Sequence, residues 1–94
     1  MSEVLSDAEI AAQLAKLPGR TRDGDALTKV FDAKNFDGAI RLVNDIAHIA
    51  KAIDHHPDLA VSWNKVTVRT SSHDAGGITS RDVDLATRIQ AIAG

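Results

Sequence analysis

Between Asn35 and Asp54, apolar residues recur at helical spacing for about five turns and then run into Asp54-His55-His56-Pro57, where proline forbids a further turn. Asn35 is a natural cap, and Phe36, Ala39, Ile40, Val43, Ala47 and Ala50 advance at i, i+3 and i+4. Adding Leu42, Ile46, Ile49 and Ile53 widens the apolar arc to about 180°, against the roughly 100° that one packing surface needs. A helix over 35–54 therefore requires cover on two sides, in a chain of only 94 residues. One side belongs to the rest of the chain. The other makes Leu42, Ile46 and Ile49 candidates for a contact between copies, in a homodimer or homotetramer whose two-fold axis makes the patch self-complementary.

The flanking segments supply the cover. Ser6 and Glu9 have capping-box spacing, and Ile10, Leu14 and Leu17 continue at helical intervals to Pro18-Gly19, which predicts a helix over 7–17. Residues 20–22 and 26–33 alternate around Asp23-Gly24, a dipeptide suited to a hairpin turn, with Leu27, Lys29 and Phe31 on one face and Thr28, Val30 and Asp32 on the other. Leu59, Val61 and Trp63 alternate, then Val66, Val68 and Thr70 alternate in the opposite parity, so a turn or a bulge falls at Asn64-Lys65. Thr79-x-x-Asp82 is a second capping box, opening a helix over 80–93 that carries Val83, Leu85, Ala86, Ile89 and Ile92. The order α-β-β-α-β-β-α describes an α+β domain: a four-stranded antiparallel sheet with three helices on one face, in one domain over residues 1–94.

Composition narrows the functions. Eleven Lys+Arg against thirteen Asp+Glu leave a formal charge of −2, so the basic footprint of a nucleic-acid or anionic-membrane binder is missing. No cysteine is present, which removes disulfides, thiolate metal sites and a cysteine nucleophile. The start of the chain is acidic and no apolar run reaches the 18 or so residues of a membrane span, which gives the expectation of a cytoplasmic protein.

Chemistry concentrates around the histidines. His48 lies on the polar face of the long helix with Arg41 and Asn44, as a solvated residue would. His55 and His56 sit at a helix exit, where the dipole favours imidazolium and suits general-acid work near neutral pH. The bland alternative is that they only end the helix. Asp54, His55, His56 and His73 are also ligand types for zinc or iron, although adjacent histidines converge on one ion only where the backbone turns sharply between them. Gly76-Gly77 lacks the lysine and spacing of a phosphate loop and reads as a turn.

Asp54-His55-His56-Pro57, five residues, Trp63, nine residues, His73, eight residues and Asp82 resemble the signature of the pterin-4a-carbinolamine dehydratases, the 4a-hydroxytetrahydrobiopterin dehydratases. Leu17-Pro18-Gly19, Asp25-Ala26-Leu27, Asn35-Phe36, Trp63-Asn64-Lys65-Val66 and residues 73–79 extend the resemblance over nearly the whole chain. It implies loss of water from a 4a-hydroxytetrahydropterin to give quinonoid dihydropterin, coupled to an aromatic amino-acid hydroxylase, with no metal and no cofactor. It also implies that His55, His56 and His73 line the pterin pocket, with His55 and His73 moving protons and His56 binding the substrate. Asp54, Pro57, Ser72, Asp74 and Ala75 then contact the polar pterin edge, Asp82 orients a histidine, and Arg81 is a further binding candidate. Two positions depart from the family pattern: Lys51 stands where many relatives are acidic, and Arg20 where they usually have tryptophan. The competing reading is an interaction module, since some members pair with a homeodomain transcription factor and related domains assist the assembly of other proteins.

Overall fold

The computed structural model describes residues 3–93. In chain order it contains α1 (Asp7–Leu14), β1 (Thr21–Asp23), β2 (Ala26–Asp32), α2 (Phe36–Ile53), β3 (Asp58–Ser62), β4 (Lys65–Thr70) and α3 (Ser80–Ala93). The strands form one antiparallel sheet in the order β1-β2-β4-β3, and the helices cover one face of it. This is the architecture the alternation of patterns implied.

Local chemistry sets the element ends. Ser6 and Glu9 form the full capping box of α1: Glu9 N donates to Ser6 Oγ at 3.1 Å and Ser6 N to Glu9 Oε1 at 2.9 Å. These bonds hold the Glu9 carboxyl below its usual range. The helix ends at Leu14 rather than at Leu17, because Lys16 N and Leu17 N reach back only three residues, to Gln13 O and Leu14 O. Leu17 is nonetheless buried. Its apolar spacing outlived the helix. Trp63 belongs to a turn and not to a strand: it has φ 52°, it is 68% exposed, and Ser62 pairs with Lys65 across it. The parity slip is thus a two-residue hairpin connection.

The inner row of β4, Val66, Val68 and Thr70, meets Leu27 and Phe31 of β2 under the helices. Phe31, Ala39, Ile46, Ala50, Val66, Val68, Leu85 and Ile89 form the main core, and Ile10, Leu27 and Ile78 a smaller one beneath α1. Ile46 corrects one expectation. It is fully buried within its own chain, on the same stripe as Ala39 and Ala50, so it is not free for a contact between copies. Leu42 and Ile49 are half-buried against the same core, while the exposed large apolar residues of α2 are Phe36 and Ile40.

The start of α2 docks tightly. Asn35 Oδ1 accepts from Gly38 N at 2.7 Å, and a Cβ on Gly38 would stand 2.2 Å from the Ala33 carbonyl oxygen. Alanine normally favours a helix over glycine by about 1 kcal/mol. Here the backbone clash dominates, and Gly38→Ala is expected to destabilise the domain by about 1–3 kcal/mol in chemical denaturation.

Candidate active site

The exit of α2 aims His55 inward. Asp54 takes the left-handed conformation, φ 52° and ψ 46°, which short polar side chains tolerate better than most. His55 N then donates back to Ala50 O at 3.0 Å, and Asp54 N to Lys51 O at 3.3 Å, closing the helix in a reversed turn. The reversal sends the His55 side chain under the start of α3. It is buried, and its Nε2 lies 2.6 Å from Asp82 Oδ1.

Asp82 is fully buried and surrounded by donors. Thr70 Oγ1 donates to Oδ1 at 2.6 Å, Ser72 Oγ to Oδ2 at 2.8 Å, and Thr79 N to Oδ2 at 2.9 Å. Since Ser72 donates to Asp82, the 2.8 Å contact between Ser72 Oγ and Thr79 Oγ1 is donated by Thr79, whose oxygen accepts from Arg81 N at 3.2 Å. The donors of this network lead, directly or through a hydroxyl, to the carboxylate. His55 Nε2–H accordingly donates to Asp82, and in the neutral ring Nδ1 carries the free lone pair. The Thr79-x-x-Asp82 box is half formed, with the carboxylate reaching back to Thr79 N while its other bonds hold the histidine.

Ser72 ties the second segment to the same carboxylate. Residues 72–77 close a tight loop in which Ser72 N donates to Gly77 O at 3.0 Å and Gly76 N to Ser72 O at 3.0 Å, with Gly76 at φ 83°. His73 is exposed beside Ser72, and His56 is exposed beside the half-buried Pro57. Asp54 is exposed and Ala75 half-buried. Asp74 pairs with Arg81 Nη2 at 2.8 Å, and this bond is the chief reason its carboxyl lies below the usual range. Asp82 thus joins the two histidine-bearing segments, whereas Asp74 and Arg81 occupy each other. His48 is exposed on α2, and Lys51 is exposed one turn before His55, where water screens its charge.

Thr70 and Thr79 are the residues that reasoning from sequence missed. The signal existed in part: Thr70 falls on the inward parity of Val66 and Val68, where an apolar residue would be expected unless its hydroxyl had a buried partner. A surface depression of about 290 Å³ lies elsewhere, between the start of α2 and the end of α3, lined among others by Phe31, Arg41, Leu42 and Ile92 and by none of the histidines. Among the described residues no three His, Asp or Glu side chains converge as metal ligands, and no helix is long and apolar enough to cross a membrane.

Fold and site together define a small α+β domain carrying a buried histidine–aspartate couple next to two exposed histidines. The chain belongs to the Pterin 4 alpha carbinolamine dehydratase family, whose pattern matches residues 3–92. A relative in Thermosynechococcus vestitus is 50% identical over 99% of this chain and 98% of its own length. One in Roseiflexus sp. is 47% identical over 98% and 99% respectively. The crystal structure of a transcriptional coactivator/pterin dehydratase from Brucella melitensis superposes with a TM-score of 0.94 at 31% identity, covering 98% of this chain and all of the other. A pterin dehydratase-like RuBisCO assembly factor of the alpha-carboxysome shares the fold at a TM-score of 0.64 and 17% identity, over 80% of this chain and 87% of its own.

Proposed function

We propose that this protein dehydrates a 4a-hydroxytetrahydropterin, with His55, His73 and His56 as the groups that meet the substrate. The observation that carries the reading is the Asp82-held imidazole of His55, tied through Ser72 to the loop of His73. A binding scaffold has no need to bury a histidine against a carboxylate with four donors. In the reaction the C4a–O bond breaks as the leaving hydroxyl takes a proton and departs as water. The N5–H bond gives up its proton, and its electron pair becomes the C4a=N5 double bond. One group must donate and another accept. Imidazole serves both roles near neutral pH, and His55 does so through Nδ1 because Nε2 is committed to Asp82. Asp82 keeps the tautomer and compensates the charge of the imidazolium as it forms.

Binding tests the location. Titration with 7,8-dihydrobiopterin, a stable pterin, is expected to shift the amide resonances of residues 54–57 and 72–75 in a saturable way. Shifts confined to the outer sheet face or to the depression near Phe31 would overturn the assignment. Proton transfer, not a Lewis acid, drives this step, so dehydration is expected to proceed at the same rate with chelator or with added zinc. A rate lost on chelation and restored by metal would return the histidines to a ligand role.

The interaction-module reading is kept by what the two structural relatives are named for: a coactivator in one case and an assembly factor in the other. In this chain it is an addition to catalysis and not its replacement, given the intact histidines.

A further inference from the structure

Trp63 serves no packing role in its own chain. It is 68% exposed at the tip of the β3–β4 hairpin, with a φ of 52° that bulky residues rarely adopt. Strain of this kind persists where a side chain is put to use. The strand before it is equally bare. β3 lies at the sheet edge, paired with β4 alone among the described residues, and four of its five residues are exposed. It carries no proline, lysine or bulge, the usual guards of an open edge.

The edge is also self-complementary. Ser62 and Lys65 flank a two-residue connection and form a hydrogen-bonded pair. By alternation, Ser62, Ala60 and Asp58 turn their N–H and C=O groups toward β4, while Leu59 and Val61 turn theirs outward. An antiparallel copy centred on Ala60 sets Leu59 against Val61 and Val61 against Leu59, so every outward group finds a partner. Centring on Leu59 would face Val61 with Pro57, which has no N–H, and centring on Val61 would face Leu59 with the turn residue Trp63. In the Ala60 register Asp58 faces Ser62, and no like charges meet. The two-fold axis stands perpendicular to the sheet, so the exposed apolar flank of Phe36, Ile40 and Val61 turns toward its own copy. It also runs the two α2 helices antiparallel, with the acidic first turn at Asp37 toward the end that carries Lys51.

The same register brings Trp63 of each copy alongside Pro57 and His56 of the other. We propose that this chain pairs through β3 with a second copy, and that Trp63 of each copy walls the other's pterin site, its indole against the flat pterin beside His56. A planar heteroaromatic ligand suits an aromatic ring that its own fold leaves bare. The role of Trp63 rests on the proposed dehydration site, whereas the pairing does not.

The test combines sedimentation of the whole chain with titration by 7,8-dihydrobiopterin. Trp63 is the only tryptophan, so its fluorescence, corrected for absorption by the pterin, reads the contact directly. At micromolar concentration the wild-type chain is expected to sediment with at least twice the mass of one copy. Ala60→Lys sets two like charges on the axis at an exposed position, and Val61→Pro removes an outward donor that β4 does not use. Each is expected to give a folded monomer. Dihydrobiopterin is expected to quench Trp63 in the wild type and to leave it bright in both monomers. Trp63→Ala is expected to stay paired and to bind the pterin about tenfold more weakly, the loss of one stacked ring. A monomeric wild type, or variants that remain paired, would overturn the β3 contact. Equal quenching in wild type and monomer, or undiminished affinity in Trp63→Ala, would overturn the part played by Trp63 in the neighbouring site. A dimer that binds no dihydrobiopterin would refute the proposed reaction and the role of Trp63 with it, and would leave the pairing upheld.

Discussion

Asp82→Asn is expected to lower kcat by about 10²–10⁴-fold while leaving the backbone of α3 in place. The substitution keeps the shape of the side chain but replaces one acceptor oxygen with an NH2 donor. In the native protein both oxygens receive donors: His55 Nε2 and Thr70 Oγ1 on Oδ1, Ser72 Oγ and Thr79 N on Oδ2. An amide must turn its NH2 toward one of these pairs, so at least one donor faces a donor. If it faces His55, the ring flips its tautomer and presents an N–H where the account needs a lone pair. If it faces Ser72 and Thr79, the loop carrying His73 loses its anchor. Stability suffers as well. A buried polar group without a partner costs about 1–3 kcal/mol, so Asp82→Leu, which strands four donors, removes a large part of the 5–15 kcal/mol typical of a small domain. The comparison of Asn with Leu separates the two effects: turnover for the first, read on folded protein, and denaturant midpoint for the second.

The second large effect concerns the histidines as a pair. His55→Ala and His73→Ala are each expected to reduce kcat by about 10²–10⁴-fold, equivalent to roughly 3–5 kcal/mol of barrier at about 1.4 kcal/mol per decade. Their segments meet through Asp82 and Ser72, and under the proposed reaction both act on one transition state, so the double variant should lose less than the product of the single factors. His56 is exposed beside Pro57, and under the proposed division of roles His56→Ala should chiefly raise KM. The two single variants differ in stability. His73 is exposed, and its removal costs the fold little, whereas removal of buried His55 takes one hydrogen bond from Asp82.

Much of the fold was legible because local signals agreed with one another. Ser6 with Glu9 and Asn35 before Phe36 mark helix starts through hydrogen bonds that form within four residues, and Pro57 marks an end because it cannot continue a helix. The errors fell where distant packing decides. Leu17 is buried by tertiary contact, so its spacing made α1 look longer than its bonds allow. Ile46 seemed to belong to a second face, yet α3 and the sheet together enclose that side of α2. In the site, the histidines are visible in the chain, and the resemblance implies that Asp82 orients one of them; that the partner is His55, 27 residues away, is set by the reversed exit of α2. Thr70 and Thr79 remained hidden for a related reason: a hydroxyl's purpose depends on what it faces across the fold. Arg20 stands out in the sequence only as a departure from the family's tryptophan; its burial emerges when β1 is laid beside β2.

The most direct measurement is the stopped-flow rate of water loss from 4a-hydroxytetrahydropterin at neutral pH, wild-type chain against buffer alone. Catalysis by this chain requires product formation that rises in proportion to protein concentration, with an acceleration of at least about 10²-fold over the spontaneous reaction, the lower end for one positioned acid or base. Progress curves that overlay the spontaneous reaction, with the protein folded, would contradict it and leave the fold serving as a binding module.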